Sequence, residues 1–165
     1  MRILLDLAVG KKCGDDEVYH MEQCYSFNER PMNWADAAKY CYDQGRNLAL
    51  TESEDDQTFY AGYVQGMLSA TQAFTQGVSG VWTSVRSVPN GSEPAWVVVP
   101  GSYVVTHQYW QPGEPNIYPS YDEVCVSLQQ ETMYRSWMSQ SCDALNFVVC
   151  KRKAVDQGLT ATNLC

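Results

Sequence analysis

Seven cysteines, at positions 13, 24, 41, 125, 142, 150 and 165, constrain this 165-residue chain more than any other feature. No two form a C-x-x-C pair, and the two histidines, His20 and His107, complete no zinc-ligand pattern, so structural zinc is disfavoured. The reading that remains is oxidised cysteine in a secreted or extracellular protein, where no glutathione pool reduces disulfides. Six of the seven can pair, in any of fifteen ways, and one is left over. Asn90-Gly91-Ser92 is an N-glycosylation acceptor in a turn-like stretch, which agrees with export.

Charge and hydropathy narrow the partners. Eleven Lys and Arg against nineteen Asp and Glu give a net charge of -8, which opposes a phosphate backbone or an anionic bilayer, so nucleic acid is excluded as a partner. The apolar run from Ile3 to Val9 is broken by Asp6 and falls far short of the roughly 20 residues a membrane span needs, so no membrane insertion is expected. Met1-Arg2-Ile3-Leu4-Leu5 has the character of a leader remnant, but with too short an apolar region and no clear small-residue cleavage site. We therefore expect an N-terminal extension over 1–12, one compact domain over 13–153 and a polar tail over 154–165 that carries Cys165.

Residues 13 to 30 read as a short entry segment. Trp34, Ala37, Ala38 and Cys41 follow Asn33 at i, i+3, i+4, i+7 spacing, which predicts a helix with Asn33 as its cap. Ser53 with Asp56 three residues on announces a second helix, carrying Phe59, Tyr63 and Met67 on one face. Beyond residue 80 the pattern changes to short β-rich runs, Val81–Val85, Trp96–Val99, Val124–Leu128 and Phe147–Cys150, separated by Gly, Pro, Asn and Ser. Helices followed by strands predict an α+β domain with a mostly antiparallel sheet. The stretch from Pro100 to Asp122, rich in Pro, Gly and Tyr, is too long for an ordinary connection and is the candidate functional loop.

Within that loop, Gln111-Pro112-Gly113-Glu114-Pro115-Asn116 places two oxygen-bearing side chains around a proline, and Glu123 follows closely. Glu114, Asn116 and Glu123 are the oxygen donors a hard cation such as calcium takes, although calcium wants about six to eight. The same residues also make an ordinary turn. Tyr103, Tyr109, Trp110, Tyr118 and Tyr121 are aromatic candidates for stacking on a ligand; Tyr109 and Trp110 suit the core better, and Tyr118 and Tyr121 are the exposed-contact candidates. No G-x-S-x-G elbow, no H-E-x-x-H pair and no histidine beside a nucleophile is present, so no catalytic residue is assigned and the chain is read as no enzyme.

Taken in order, these pieces resemble the C-type lectin-like domain in its long form, over roughly residues 13 to 153. Cys13 and Cys24 look like its N-terminal hairpin bridge, Trp34 to Cys41 like its first helix and Val81-Trp82-Thr83-Ser84-Val85 like its Trp-Ile-Gly-Leu strand. Glu114-Pro115-Asn116 looks like its mannose-type motif, Glu123-Val124-Cys125-Val126 like its Glu-x-Cys-Val strand, and Trp137 with Cys142 like its Trp-Asn-Asp-x-x-Cys motif. The resemblance implies a C-type lectin-like fold of two helices packed on short antiparallel sheets, stapled by disulfides Cys13–Cys24, Cys41–Cys150 and Cys125–Cys142. It implies a cis bond between Glu114 and Pro115. It also implies a calcium ion held by Glu114, Asn116 and Glu123 that coordinates hydroxyls of a mannose, glucose or fucose-type glycan.

The resemblance breaks where the family's Asn and Asp ligands belong: Met138 and Ser139 stand there, and a thioether is no useful calcium ligand. Asp122, Asp143 or a backbone carbonyl are the residues near enough in sequence to fill the vacancy. Two functions follow. One is a secreted lectin binding glycans or glycoproteins through Glu114, Asn116, Glu123, Tyr118 and Tyr121, with calcium as its ion and a Cys165-linked dimer as a source of valency. The other is a calcium-independent domain that binds a protein or a surface through the same loop, which the missing Asn-Asp pair favours; the intact Glu114-Pro115-Asn116 and Glu123 make the lectin the expected function and this one the alternative.

Overall fold

A computed structural model describes residues 13–71, 78, 80–117 and 123–155. Residues 13–30, the expected entry segment, hold the N-terminal hairpin that the family resemblance implies at Cys13 and Cys24: β1 (Val18–His20) and β2 (Gln23–Met32), turned at Met21 and Glu22, which both take positive φ. Strand β2 escapes an alternation search because its buried residues, Cys24, Tyr25 and Ser26, are consecutive: one sheet face meets the core and the other meets a disulfide.

Helix α1 (Trp34–Asp43) begins where its cap predicts, with Asn33 Oδ1 accepting from the Asp36 amide at 2.9 Å. Trp34, Ala37 and Cys41 are buried along its inner face. Helix α2 (Glu54–Thr71) starts with the Asp56 amide donating to Ser53 Oγ at 3.1 Å, and Glu54, Asp55 and Asp56 place negative charge on its first turn, where the helix dipole favours it. Its buried stripe is Gln57, Tyr60, Ala61, Val64 and Leu68, not the Phe59, Tyr63 and Met67 face that the sequence suggests. The two stripes are adjacent on the helix, and the one richer in small and branched residues packs deeper while Phe59 and Tyr63 cover its edge beside Tyr25.

The remaining strands are β3 (Asn47–Leu48), β4 (Gly80–Val88), β5 (Ala95–Val98), β6 (Val124–Gln129), β7 (Trp137–Ser141) and β8 (Asn146–Lys153). Their order is β1-β2-β8-β4-β6-β7, with β3 on β8 and β5 on β4. All pairs are antiparallel except β4 with β8, which meet in parallel at Val81 and Phe147. Strand β4 is buried on both faces, and its alternation sends Val81 and Val85 into the core under α2 and Trp82 into the one under α1. Gly80 begins β4 where nothing larger fits: a Cβ there would meet Gln129 Nε2 at 2.3 Å and Asn146 Oδ1 at 2.4 Å.

Three disulfides join these elements. Cys13–Cys24 ties the entry to β2, Cys41–Cys150 ties α1 to β8 across 109 residues, and Cys125–Cys142 ties β6 to the end of β7. A buried ionic clamp reinforces the first. The Glu17 side chain has no solvent access and accepts from Arg152 Nε at 2.8 Å and from the Gly14 amide at 2.6 Å, while Arg46 Nε lies 2.9 Å away. The fold is α+β, two helices on a strand-rich body, and it leaves β6, β7 and the root of the long loop side by side.

Candidate functional site at the root of the long loop

The long loop is seated by aromatic packing. Trp110 meets Trp96 of β5 with ring centres 4.7 Å apart and Trp137 of β7 at 5.4 Å, both edge to face, and Tyr109 meets Trp137 at 6.0 Å. Backbone bonds complete the seat: the Trp137 amide donates to Tyr109 O at 2.7 Å and the Gln111 amide to Trp137 O at 3.1 Å. Tyr109 and Trp110 thus pack against the core rather than facing a ligand. Tyr103 is about half exposed and donates through its hydroxyl to Glu52 at 3.0 Å.

From that seat the chain turns at Gln111–Glu114, with Gly113 at φ 86°, a conformation that glycine adopts at no steric cost. The Glu114–Pro115 peptide is cis. Glu114, Asn116 and Ser139 then form one knot. Glu114 Oε2 accepts from the Asn116 amide at 2.9 Å, from the Ser139 amide at 3.0 Å and from the Ser139 hydroxyl, while its Oε1 accepts from Asn116 Nδ2 at 3.1 Å. Ser139 Oγ also accepts from the Asn116 amide at 2.7 Å and lies 3.0 Å from Asn116 O. Glu123 does not join the knot; its Oε1 accepts from Arg86 NH1 at 2.8 Å, and the Arg86 guanidinium lies 6.0 Å over the Trp34 ring.

Calcium is tested by what these donors have left. A carboxylate offers about four lone-pair sites; three of the four hydrogen bonds to Glu114 crowd onto Oε2, which leaves only one site, on Oε1, for an ion. Asn116 donates its Nδ2 to Glu114, which leaves its Oδ1 as the one oxygen it could offer, and Glu123 is already paired with a cation of the protein itself. Met138 offers sulfur, and Ser139 is 4% exposed with its hydroxyl engaged. Asp143, the one substitute side chain among the described residues, is exposed in the turn after β7, its amide donating to Ser141 Oγ at 3.3 Å. The few oxygens left over fall short of the roughly six to eight that calcium takes, so the donor set does not fit a calcium cage. Tyr118, Tyr121, Asp122 and Cys165 lie outside the described residues.

Two residues of this site were beyond sequence reading. Ser139 registers there only as a lost ligand, because hydrogen-bond geometry has no sequence signature. Arg86 is a lone cation in an apolar run, and only the register that sets it opposite Cys125, with Glu123 one diagonal step away, reveals its purpose.

Comparison with known proteins places this architecture. Residues 30–152 match the model of the lectin C-type domain, and the chain belongs to that family. Mouse CD209 antigen-like protein D is 28% identical over 142 residues, which cover 85% of this chain and 52% of that protein. The chain thus spans about half the length of that curated relative. Human lithostathine is similar in structure, with a TM-score of 0.70 and 27% identity over 86% of this chain and 90% of the other. A calcium-independent type II antifreeze protein shares the fold at a TM-score of 0.68 and 22% identity, covering 87% of this chain and 95% of that one.

Proposed function

We propose that this domain is a recognition module, not an enzyme, which binds an extracellular protein partner through its long-loop face with no calcium ion in the contact. One observation carries the reading: both carboxylates that would hold the ion are answered by groups of the chain itself, Glu114 by Ser139 and Asn116, and Glu123 by Arg86. Without an ion, sugar hydroxyls lose the coordination that the family resemblance implies. The long loop carries exposed apolar side chains, Ile117 next to Asn116 at 51% and Val104 nearer its start at 58%, and such side chains suit a protein better than a polyol. Three disulfides support an extracellular setting, and no described helix is long and apolar enough to cross a membrane.

A second reading keeps the glycan. Glu114, Asn116 and Glu123 are all present in the mannose-type order, and both carboxylates would enter a calcium site with all their oxygens only if Ser139 and Arg86 released Glu114 Oε2 and Glu123 Oε1. An array carrying hexose-type glycans and extracellular proteins, probed in calcium and again in EDTA, separates the two. Protein binding that ignores EDTA supports the proposal. Glycan binding that EDTA abolishes overturns it in favour of the second reading.

A further inference from the structure

We infer that position 139 decides whether this loop needs an ion, and that Ser139, helped by Arg86, performs inside the chain what a bound cation would do. The inference rests on placing ligand recognition at this loop, and it adds how the loop is held ready. A cation in such a site has two jobs: it ties the loop to the neighbouring strand, and it cancels the repulsion of clustered carboxylates. Here the two jobs are divided between residues. Ser139 does the tying, since its amide and its hydroxyl both donate to Glu114 Oε2 and its oxygen accepts from the Asn116 amide. It does so from a rigid base, because β7 is paired with β6 at Ser139 and Val126, and Ser139 is buried.

Arg86 does the cancelling. Its NH1 lies 2.8 Å from Glu123 Oε1, and its guanidinium is held against the Trp34 ring, so the charge is delivered from a fixed element rather than a flexible one. The chemistry at 139 then works in one direction only. Serine can donate a proton to Glu114, and it brings no charge. Aspartate at the same place would set a second carboxylate within hydrogen-bond reach of Glu114, an arrangement that repels until a cation or a proton enters. With serine the knot closes without an ion; with aspartate it demands one.

Hydrogen exchange followed amide by amide tests this on the whole chain, comparing wild type, Ser139→Ala, Ser139→Thr and the double variant Met138→Asn/Ser139→Asp, each in millimolar calcium and in EDTA. Wild type should protect the Asn116 and Ser139 amides equally in both solutions. Ser139→Ala should exchange about tenfold faster at the Asn116 amide, as expected for a lost hydrogen bond to a charged group, while Ser139→Thr keeps the hydroxyl and the protection. The double variant should be loose in EDTA and tighten with a saturable calcium titration. The Val81–Val85 amides of β4 report the global fold: loosening confined to the loop supports the inference, and loosening spread evenly into β4 would mark Ser139 as a packing residue and overturn it. So would a Ser139→Ala loop as protected as wild type, or a wild-type loop that tightens only with calcium. No partner is needed in this measurement, so it can fail while calcium-independent protein binding stands, or hold while the array finds no partner.

Discussion

Arg86 donates to Glu123 across the β4–β6 pair at 2.8 Å, one diagonal step from the register that sets Arg86 opposite Cys125. Both side chains keep contact with water, Arg86 at 31% and Glu123 at 56% exposure, so the pair itself contributes about 0–1 kcal/mol and its cation–π contact with Trp34 a similar amount. Arg86→Gln should therefore lower global stability by about 1 kcal/mol in urea denaturation. It should leave the Glu114 knot intact, because none of the four hydrogen bonds to that carboxylate involves Arg86.

Acid should loosen the N-terminal end first. Burial raises the Glu17 carboxyl, but Arg152, the Gly14 amide and Arg46 together outweigh it and hold the group below the usual glutamate value; a hydrogen bond from Arg46 holds Asp16 below its own. A carboxylate whose folded pKa is depressed stabilises the native state above its unfolded pKa, and that contribution fades as pH falls through the folded value. Stability should be level above about pH 5 and should decline below about pH 4. Glu17→Gln should flatten the decline and, by leaving Arg46 and Arg152 with a weaker partner, cost about 3 kcal/mol at neutral pH. Chemical denaturation across a pH series checks both.

Gly80→Ala should be costly at a position where sequence reading gives no warning. The added methyl would meet Gln129 and Asn146, which belong to a buried network: Gln129 Nε2 donates to Ser127 Oγ at 2.9 Å and Asn146 Nδ2 to Gln140 Oε1 at 2.8 Å. Neither side chain can yield without losing a buried partner, so the variant should lose about 1–3 kcal/mol. A drop in thermal midpoint of several degrees is the expected reading.

Removing Cys125–Cys142 by paired serine substitution should act on the site before the whole. The bridge closes a 17-residue span, for which the chain-entropy model gives about 3 kcal/mol, and it fixes the strand that carries Ser139 to the one that follows Glu123. Protection of the Asn116 and Ser139 amides should fall at denaturant concentrations where β4 remains protected.

Much of this fold was legible in the sequence because its signals are local. Asn33 and Ser53 start helices with a hydrogen bond three residues long, and the β-rich runs from Val81, Val124 and Phe147 fall within strands of the structure. What stayed hidden depends on partners far along the chain. Strand β2 reads as irregular until β8 lies beside it, and the deep stripe of α2 is settled by what it packs against rather than by its own periodicity. The site divides in the same way. Glu114, Asn116 and Glu123 stand out by residue type and spacing, but which atom answers each carboxylate is a matter of register, joining Glu114 to Ser139 across 25 residues and Arg86 to Glu123 across 37.

Calcium calorimetry on the wild-type domain tests the central claim most directly. Extracellular calcium modules bind with dissociation constants of about 0.1 to 1 mM, so a titration to several millimolar covers the range. A site whose carboxylates are engaged by Ser139, Asn116 and Arg86, with too few oxygens left for a cage, should give no heat beyond dilution and no change in thermal midpoint. Saturable heat with one ion per chain, lost in Glu114→Gln, would contradict it.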